Sequence, residues 1–356
     1  MLLDVLVDRL EAGGPIPFDE FMAACLYDAD YGFFASGPLR SVKSGDFLTS
    51  PEVSHWFGKT LAGFVADRID RLPEPSWLVE AGAGSGSLLA SMLPELGDRL
   101  PDHVVAVEAS PAARSALSAV TGIAAVAASM DEVESTISGV VIANELLDNL
   151  PVALAVRGGD GWEERWVASA GGALELVVAP IRADVAAWAD DYGGNVPDGG
   201  MVEVQLAANA WLGEALRRLD SGAVVIIDYG GTTEELEPRR TLGTLRTYRS
   251  HHLGPDPLTA PGETDITVDV NFTALAATAS QLGATVMISR QDDFLEEWGL
   301  AAAIRELRMR ELELARTTDA VGRLAVRAEI TDAETLLHPR GLGDFRVLVA
   351  DVVGGS

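Results

Sequence analysis

The chain has 356 residues, longer than most single domains, so one large domain with an insertion or two separate domains are both open. Its 54 acidic side chains outnumber 26 basic ones, and the net charge of −28 repels phosphate backbones and anionic lipid, predicting a basic partner and neither nucleic acid nor membrane; acidity serving only solubility is the plainer account. A lone Cys25 excludes an intramolecular disulfide framework and a multi-cysteine zinc site, and no apolar run approaches the ~20 residues of a membrane span.

Residues 1–72 read as a helical segment. Its opening, MLLDVLVDRLEAGG, carries Asp4, Asp8 and Glu11 within the apolar periodicity, so it is not read as a signal peptide and a cytoplasmic protein is expected. Cys25 falls in FMAACLYD as a small core residue of a helix. A loop rich in Gly, Ser and Pro then leads into a helix start: Ser50 is placed to cap, Pro51 suits the first helical position and Glu52 favours the positive helix end.

From residue 77 short apolar runs alternate with helical stretches: WLVEAG, HVVAVEAS, GIAAVAAS and GVVIANE are strands, SLLASMLPELG and PAARSALSAV helices. This alternation predicts an α/β fold, a mostly parallel sheet covered on both faces, with residues 73–151 as its first part. Residues 152–220 break the rhythm with Gly-rich turns between alternating runs and read as an inserted β-rich lobe. The pattern resumes at GAVVIIDYGG and runs to the end as the remainder of the core, 221–356, with strands at ATVMISR and FRVLVADVV around a long helical span. Between them TLRTYRSHHLGPDPLTAPGETDITVDVNF is too polar for core and too long for a plain connector. His251 and His252 lie there, but no third ligand has convincing spacing, so no metal site is expected.

The stretch LVEAGAGSGSLL places Glu80, Gly82, Gly84 and Gly86 between an apolar strand and a helix, where a tight turn lets a ligand approach the backbone. A dinucleotide fingerprint would need its third glycine at position 87, which is Ser87. The strand-end Glu80 would oppose a pyrophosphate but accepts from the ammonium of an amino-acid-like ligand. S-adenosylmethionine, with its zwitterionic methionyl end, matches this arrangement. Glu108 ends the next strand, where an acid takes both ribose hydroxyls, although NAD proteins place an acid there too. Asp131 after the third strand is placed either for the adenine amine or as a plain surface acid.

Together with LYDADYGFF, GDFLTSPEVSHWFG, NELLDNLPV, VIIDYG, GTLRTYRSHH, PGETDIT and GLGDFRVL, the glycine loop resembles the MidA family of S-adenosylmethionine-dependent methyltransferases over nearly the whole chain. A mitochondrial member of that family is a complex I assembly factor with protein arginine methyltransferase activity. The resemblance implies a Rossmann-like class I methyltransferase: seven strands in the order 3-2-1-4-5-7-6, the last antiparallel. It also implies an N-terminal segment folded over the cofactor, which adds Thr49, Ser50 and Glu52 to the binding set. Ala83 and Ser85 depart from relatives that often carry Pro and Arg, a change that is conservative for the cofactor; TDITVDVNF departs where the acceptor would be chosen.

For an arginine acceptor, carboxylates that grip the guanidinium localise its lone pair and counter its charge. In GVVIANELLDNLP, Glu145 is the first candidate, with Asp148 one helical turn onward and Asn144 placed to contact the methionyl group or orient the acceptor. Helix-start electrostatics is the rival account of both acids. Asp228 and Tyr229 end another strand and should face the same crevice; Arg246 reads as an anion contact or a solvated loop residue. The expected activity is methyl transfer to a protein side chain, with a small-molecule O- or N-methyltransferase and a non-catalytic, cofactor-binding assembly factor as alternatives.

Overall fold

The structure, a computed structural model, describes residues 1–34, 49–249 and 252–354. Gly45, Asp46 and Phe47 of the N-terminal block and His251 lie outside the described residues.

Seven strands form the central sheet: β1 Ser76–Ala81, β2 His103–Val107, β3 Ala125–Ala127, β4 Ile137–Asn144, β5 Leu219–Asp228, β6 Thr285–Arg290 and β7 Arg346–Val352. Their spatial order is 3-2-1-4-5-7-6, as the resemblance implied. The pairs from β3 to β5 are parallel, and β7 runs antiparallel to both β5 and β6. The strands are near-continuous apolar runs because both faces are covered. On one face Leu78, Val140, Ile142, Val225 and Ile227 pack with helices Trp56–Ile69 and Ser87–Leu96 and the helices beyond residue 290. On the other, Val79, Val141, Ala143, Val224 and Ile226 pack with helices Leu206–Arg218 and Phe272–Gln281.

A second, antiparallel sheet is inserted after β4. Its strands are Ala153–Gly158, Gly161–Ala170, Ala173–Pro180 and Met201–Val204, and it takes a short fifth strand, Ile16–Pro17, from the N-terminal segment. The lobe therefore ends at Val204 rather than at 220, because helix Leu206–Arg218 buries Ala208, Leu212 and Ala215 against the main sheet. Residues 1–72 also divide. Helix Leu2–Gly13 presents Leu2, Leu6 and Leu10 at helical spacing and, with Phe18, Phe21 and Met22, packs on Val152, Leu154 and Val167 of the lobe. Helix Trp56–Ile69 instead joins the core of the main sheet.

The polar stretch after β5 is structured. Arg246–Arg249 pairs with His252–Leu253 and Asp265–Thr267, and Val270–Asn271 pairs with Gly230–Gly231 just past the end of β5. These two small sheets sit at the carboxyl ends of β4 and β5 because Val268 N–H donates to the Asp148 carbonyl at 3.1 Å and Val270 N–H to that of Tyr229 at 3.0 Å.

Candidate active site

The carboxyl edge of β1, β2 and β4 opens on a cavity of about 390 Å³, within the usual size of a small-molecule site. The glycine turn forms its floor. Gly82, Gly84 and Gly86 all adopt left-handed backbone, with φ of 69°, 52° and 80°, which only glycine takes without strain. A Cβ on Gly82 would come within 2.9 Å of the Leu146 side chain. Glu108 fixes the turn from β2, accepting from Gly84 N–H and from Ser110 N–H, each at 2.8 Å.

Two buried acceptors on residues that line this cavity, Glu80 Oε2 and Asn144 Oδ1, have no hydrogen-bond partner among the described residues. Burial, and then the neighbouring Glu108, push the Glu80 carboxyl up to about 8. A desolvated acid and an amide oxygen suit a cationic, hydrogen-bond-donating group, so this lining fits the methionyl ammonium of S-adenosylmethionine. Asp131 also lines the cavity, but its Oδ1 takes Arg218 at 3.0 Å. Thr49 lines the wall. Ser50 and Glu52 do not: Ser50 is buried and donates its N–H to Glu145 Oε1 at 2.9 Å, and Glu52 Oε1 accepts from Ser85 Oγ at 3.2 Å. Gly86 lies beneath the lining, at the cap of helix Ser87–Leu96.

A second cavity, of about 440 Å³, lies beyond Glu145 and is lined by Asp148, Tyr229, Arg239, Arg246, Asp265, Asp269 and Arg340. Glu145 and Asn149 line both cavities. Glu145 is not in a helix. It has φ 50°, the one left-handed non-glycine among the described residues, and its N–H is tied to the Ile227 carbonyl of β5 at 2.8 Å. Its Oε1 also accepts from Asn144 Nδ2 at 3.2 Å. Burial raises its carboxyl to about 8, against the hydrogen bond from Ser50, with Asp148 adding to the rise.

Asp148 sits in a single 3-10 turn, Leu147–Asn149, instead of an α-helix one turn on from Glu145. It is buried, bonded to the Tyr229 hydroxyl through Oδ2 and, among the described residues, without a partner at Oδ1. Burial raises its carboxyl to about 6, while the Tyr229 hydrogen bond holds it down.

Asp228 is a correction. Expected in the crevice, it is fully buried and lines neither cavity. Its oxygens accept from the backbone N–H groups of Leu147 at 3.0 Å, Asp148 at 3.2 Å and Tyr229 at 2.9 Å. Its carboxylate thus ties the Leu147–Asp148 backbone to the end of β5.

Three residues of the site were missed in the sequence. Asn149 donates to Asp265 Oδ1 at 2.7 Å and to the Ile266 carbonyl at 3.1 Å, and its own carbonyl takes the Tyr27 hydroxyl at 3.2 Å. The polarity of Asn149 within NELLDNLPV and of Asp265 within PGETDIT was the available signal; for Tyr27, an aromatic on a core helix, there was only its place in LYDADYGFF.

The family model for putative S-adenosyl-L-methionine-dependent methyltransferases matches residues 60–289. The mouse mitochondrial protein arginine methyltransferase NDUFAF7 is 28% identical, with 96% of this chain and 82% of that protein covered. The human protein of the same name is 26% identical, with coverages of 96% and 81%. A crystal structure from Burkholderia thailandensis with S-adenosyl-homocysteine bound superposes with a TM-score of 0.86 at 28% identity, covering 100% of this chain and 93% of that one. The relatives are named mitochondrial, which overturns the expectation of a cytoplasmic protein.

Proposed function

Because the chain belongs to the family of S-adenosyl-L-methionine-dependent methyltransferases, we propose that this methyltransferase acts on a protein arginine, with Glu145 between the two substrates. One observation carries the reading: Glu145 lines both the cofactor-sized cavity and the charged cavity beyond it. The relatives' printed names support arginine as the acceptor.

When bound, S-adenosylmethionine supplies an electrophilic methyl on a sulfonium. Glu80 and Asn144 would hold its methionyl end, and the remaining lone pairs of Glu108 its ribose hydroxyls. Asp131, engaged by Arg218, is the weaker candidate for the adenine amine. In the second cavity, the Glu145 oxygen not taken by Ser50 and Asn144, together with the Asp148 carboxylate, would grip the acceptor guanidinium. A guanidinium nitrogen that gains a methyl must shed a proton. The Glu145 carboxyl, raised to about 8, holds that proton better than an ordinary carboxylate. Asp228 and Tyr229 serve as positioning residues for Asp148.

The test is incubation with methyl-labelled S-adenosylmethionine and a cell extract, with label located by mass. Label on protein arginine, lost in Glu145→Gln, is the expected result. Label confined to small molecules would favour the second reading, a small-molecule acceptor.

A further inference from the structure

The charged cavity carries three arginines, Arg239, Arg246 and Arg340, as well as acids. Asp269 is buried, and both of its oxygens are taken by arginines, Oδ2 by Arg239 and Oδ1 by Arg246. One carboxylate cannot balance two guanidiniums, so this group keeps one positive charge. All three line the cavity, but the arginines are half-exposed while Asp269 is almost wholly covered. Arg340 at the rim is exposed, and its guanidinium makes no hydrogen bond or ion pair among the described residues; only its backbone N–H is engaged, on His338 Nδ1 at 3.3 Å. The nearby Asp344 does not neutralise it, because Asp344 is held by Arg290 and Arg346. Of the remaining acids of the lining, Asp148 is bonded to Tyr229 and also feels the charge of Arg246, and Asp265 is bonded to Asn149; with Glu145 they supply the cavity's negative charge.

A substrate that brought only positive charge to this cavity would be attracted by Glu145 and Asp148 and repelled by three guanidiniums. A substrate that also brings a carboxylate is attracted by both sets of charges. We infer that Arg340, with Arg239 and Arg246, forms a subsite for a substrate carboxylate, so that the methylated arginine is one flanked within two residues by Asp, Glu or a free C-terminal carboxylate. This rests on the arginine reading above and narrows it. Arg239 and Arg246 are fixed by Asp269 and supply a standing field; Arg340 is free to close on the carboxylate.

The experiment compares wild type with Arg340→Glu and Arg340→Lys, at saturating methyl-labelled S-adenosylmethionine, on a whole-cell protein extract. Labelled sites are mapped, and synthetic peptides carrying those sites are then assayed with the flanking acid intact or replaced by Gln or Lys. Arg340 is exposed, so folding is preserved, and an unchanged cofactor Kd verifies that the first cavity is intact. The expected result is labelled arginines with an adjacent acid, and a five- to tenfold rise in KM with little change in kcat when that acid becomes Gln. Arg340→Glu should cost the acidic peptides about as much and favour Lys-flanked ones, while Arg340→Lys retains the wild-type preference. Labelled arginines without neighbouring acids, methylated equally by Arg340→Glu, would overturn the subsite and leave the arginine reading standing. Label on other residue types or only on small molecules would overturn both.

Discussion

Glu145 holds a left-handed backbone that costs an ordinary residue roughly 1–2 kcal/mol. The strain persists because neighbours over-determine it: β5 takes its N–H, and Ser50 and Asn144 take one carboxylate oxygen. Such a position is built to aim a side chain. Glu145→Gln should therefore keep the S-adenosylmethionine Kd within about threefold by calorimetry and lower kcat by about 10²-fold or more. The ionised form is needed, and the carboxyl lies at about 8. At saturating cofactor, kcat/KM for the acceptor should thus rise with pH and level off above about 8, a limb absent in the variant. Asp228→Asn probes the three backbone hydrogen bonds that its carboxylate accepts. An amide cannot accept from all three backbone donors, so denaturant unfolding should show a loss of about 1–3 kcal/mol. Acceptor kcat should fall with the disturbed turn, while cofactor Kd changes little.

At the scale of elements, the glycine turn is the least forgiving piece. Gly84→Val would force a β-branched residue to φ 52° and displace the N–H that Glu108 holds. Calorimetry should show cofactor affinity down by 10²-fold or more; unchanged affinity would sink the assignment of this cavity. The turn could be read from the sequence because its causes are local: an apolar run, three glycines and a following helix within LVEAGAGSGSLL. The same holds for β4 and its acidic end. What escaped reading depends on distant partners. Tyr27 reaches Asn149 across 122 residues, and Asn149 reaches Asp265 across 116. No local pattern marks either meeting. Asp228 was misplaced for a related reason: a strand end predicts the crevice edge, but not that the neighbouring turn will fold over the carboxylate and claim it.

At the scale of the molecule, the buried acids set a pH dependence. The carboxyls of Glu80 and Glu145 stand at about 8, well above their unfolded value near 4.5, so the folded state binds more protons. Their contribution to stability is full below about pH 4.5 and is lost as pH rises through 8. Asp148, at about 6, acts in the same direction. Glu80→Gln in the cofactor-free protein should raise the melting temperature at pH 8–9, by a few kcal/mol of stability at most, and the gain should vanish near pH 5. A scanning series that showed the gain at acid pH instead would contradict the burial of Glu80.

The strand pairing of Ile16 and Pro17 with Trp166 and Val167 joins the first residues to the middle of the lobe. A ribosome must therefore deliver about 150 more residues before the first helices find the surface they cover. During that interval Leu2, Leu6, Leu10, Phe18 and Phe21 present an apolar face with nothing beneath it. An N-terminally trimmed version would leave the matching face of the lobe bare. Expressed without residues 1–17, the protein should partition to the insoluble fraction even though every group of the cofactor cavity is retained.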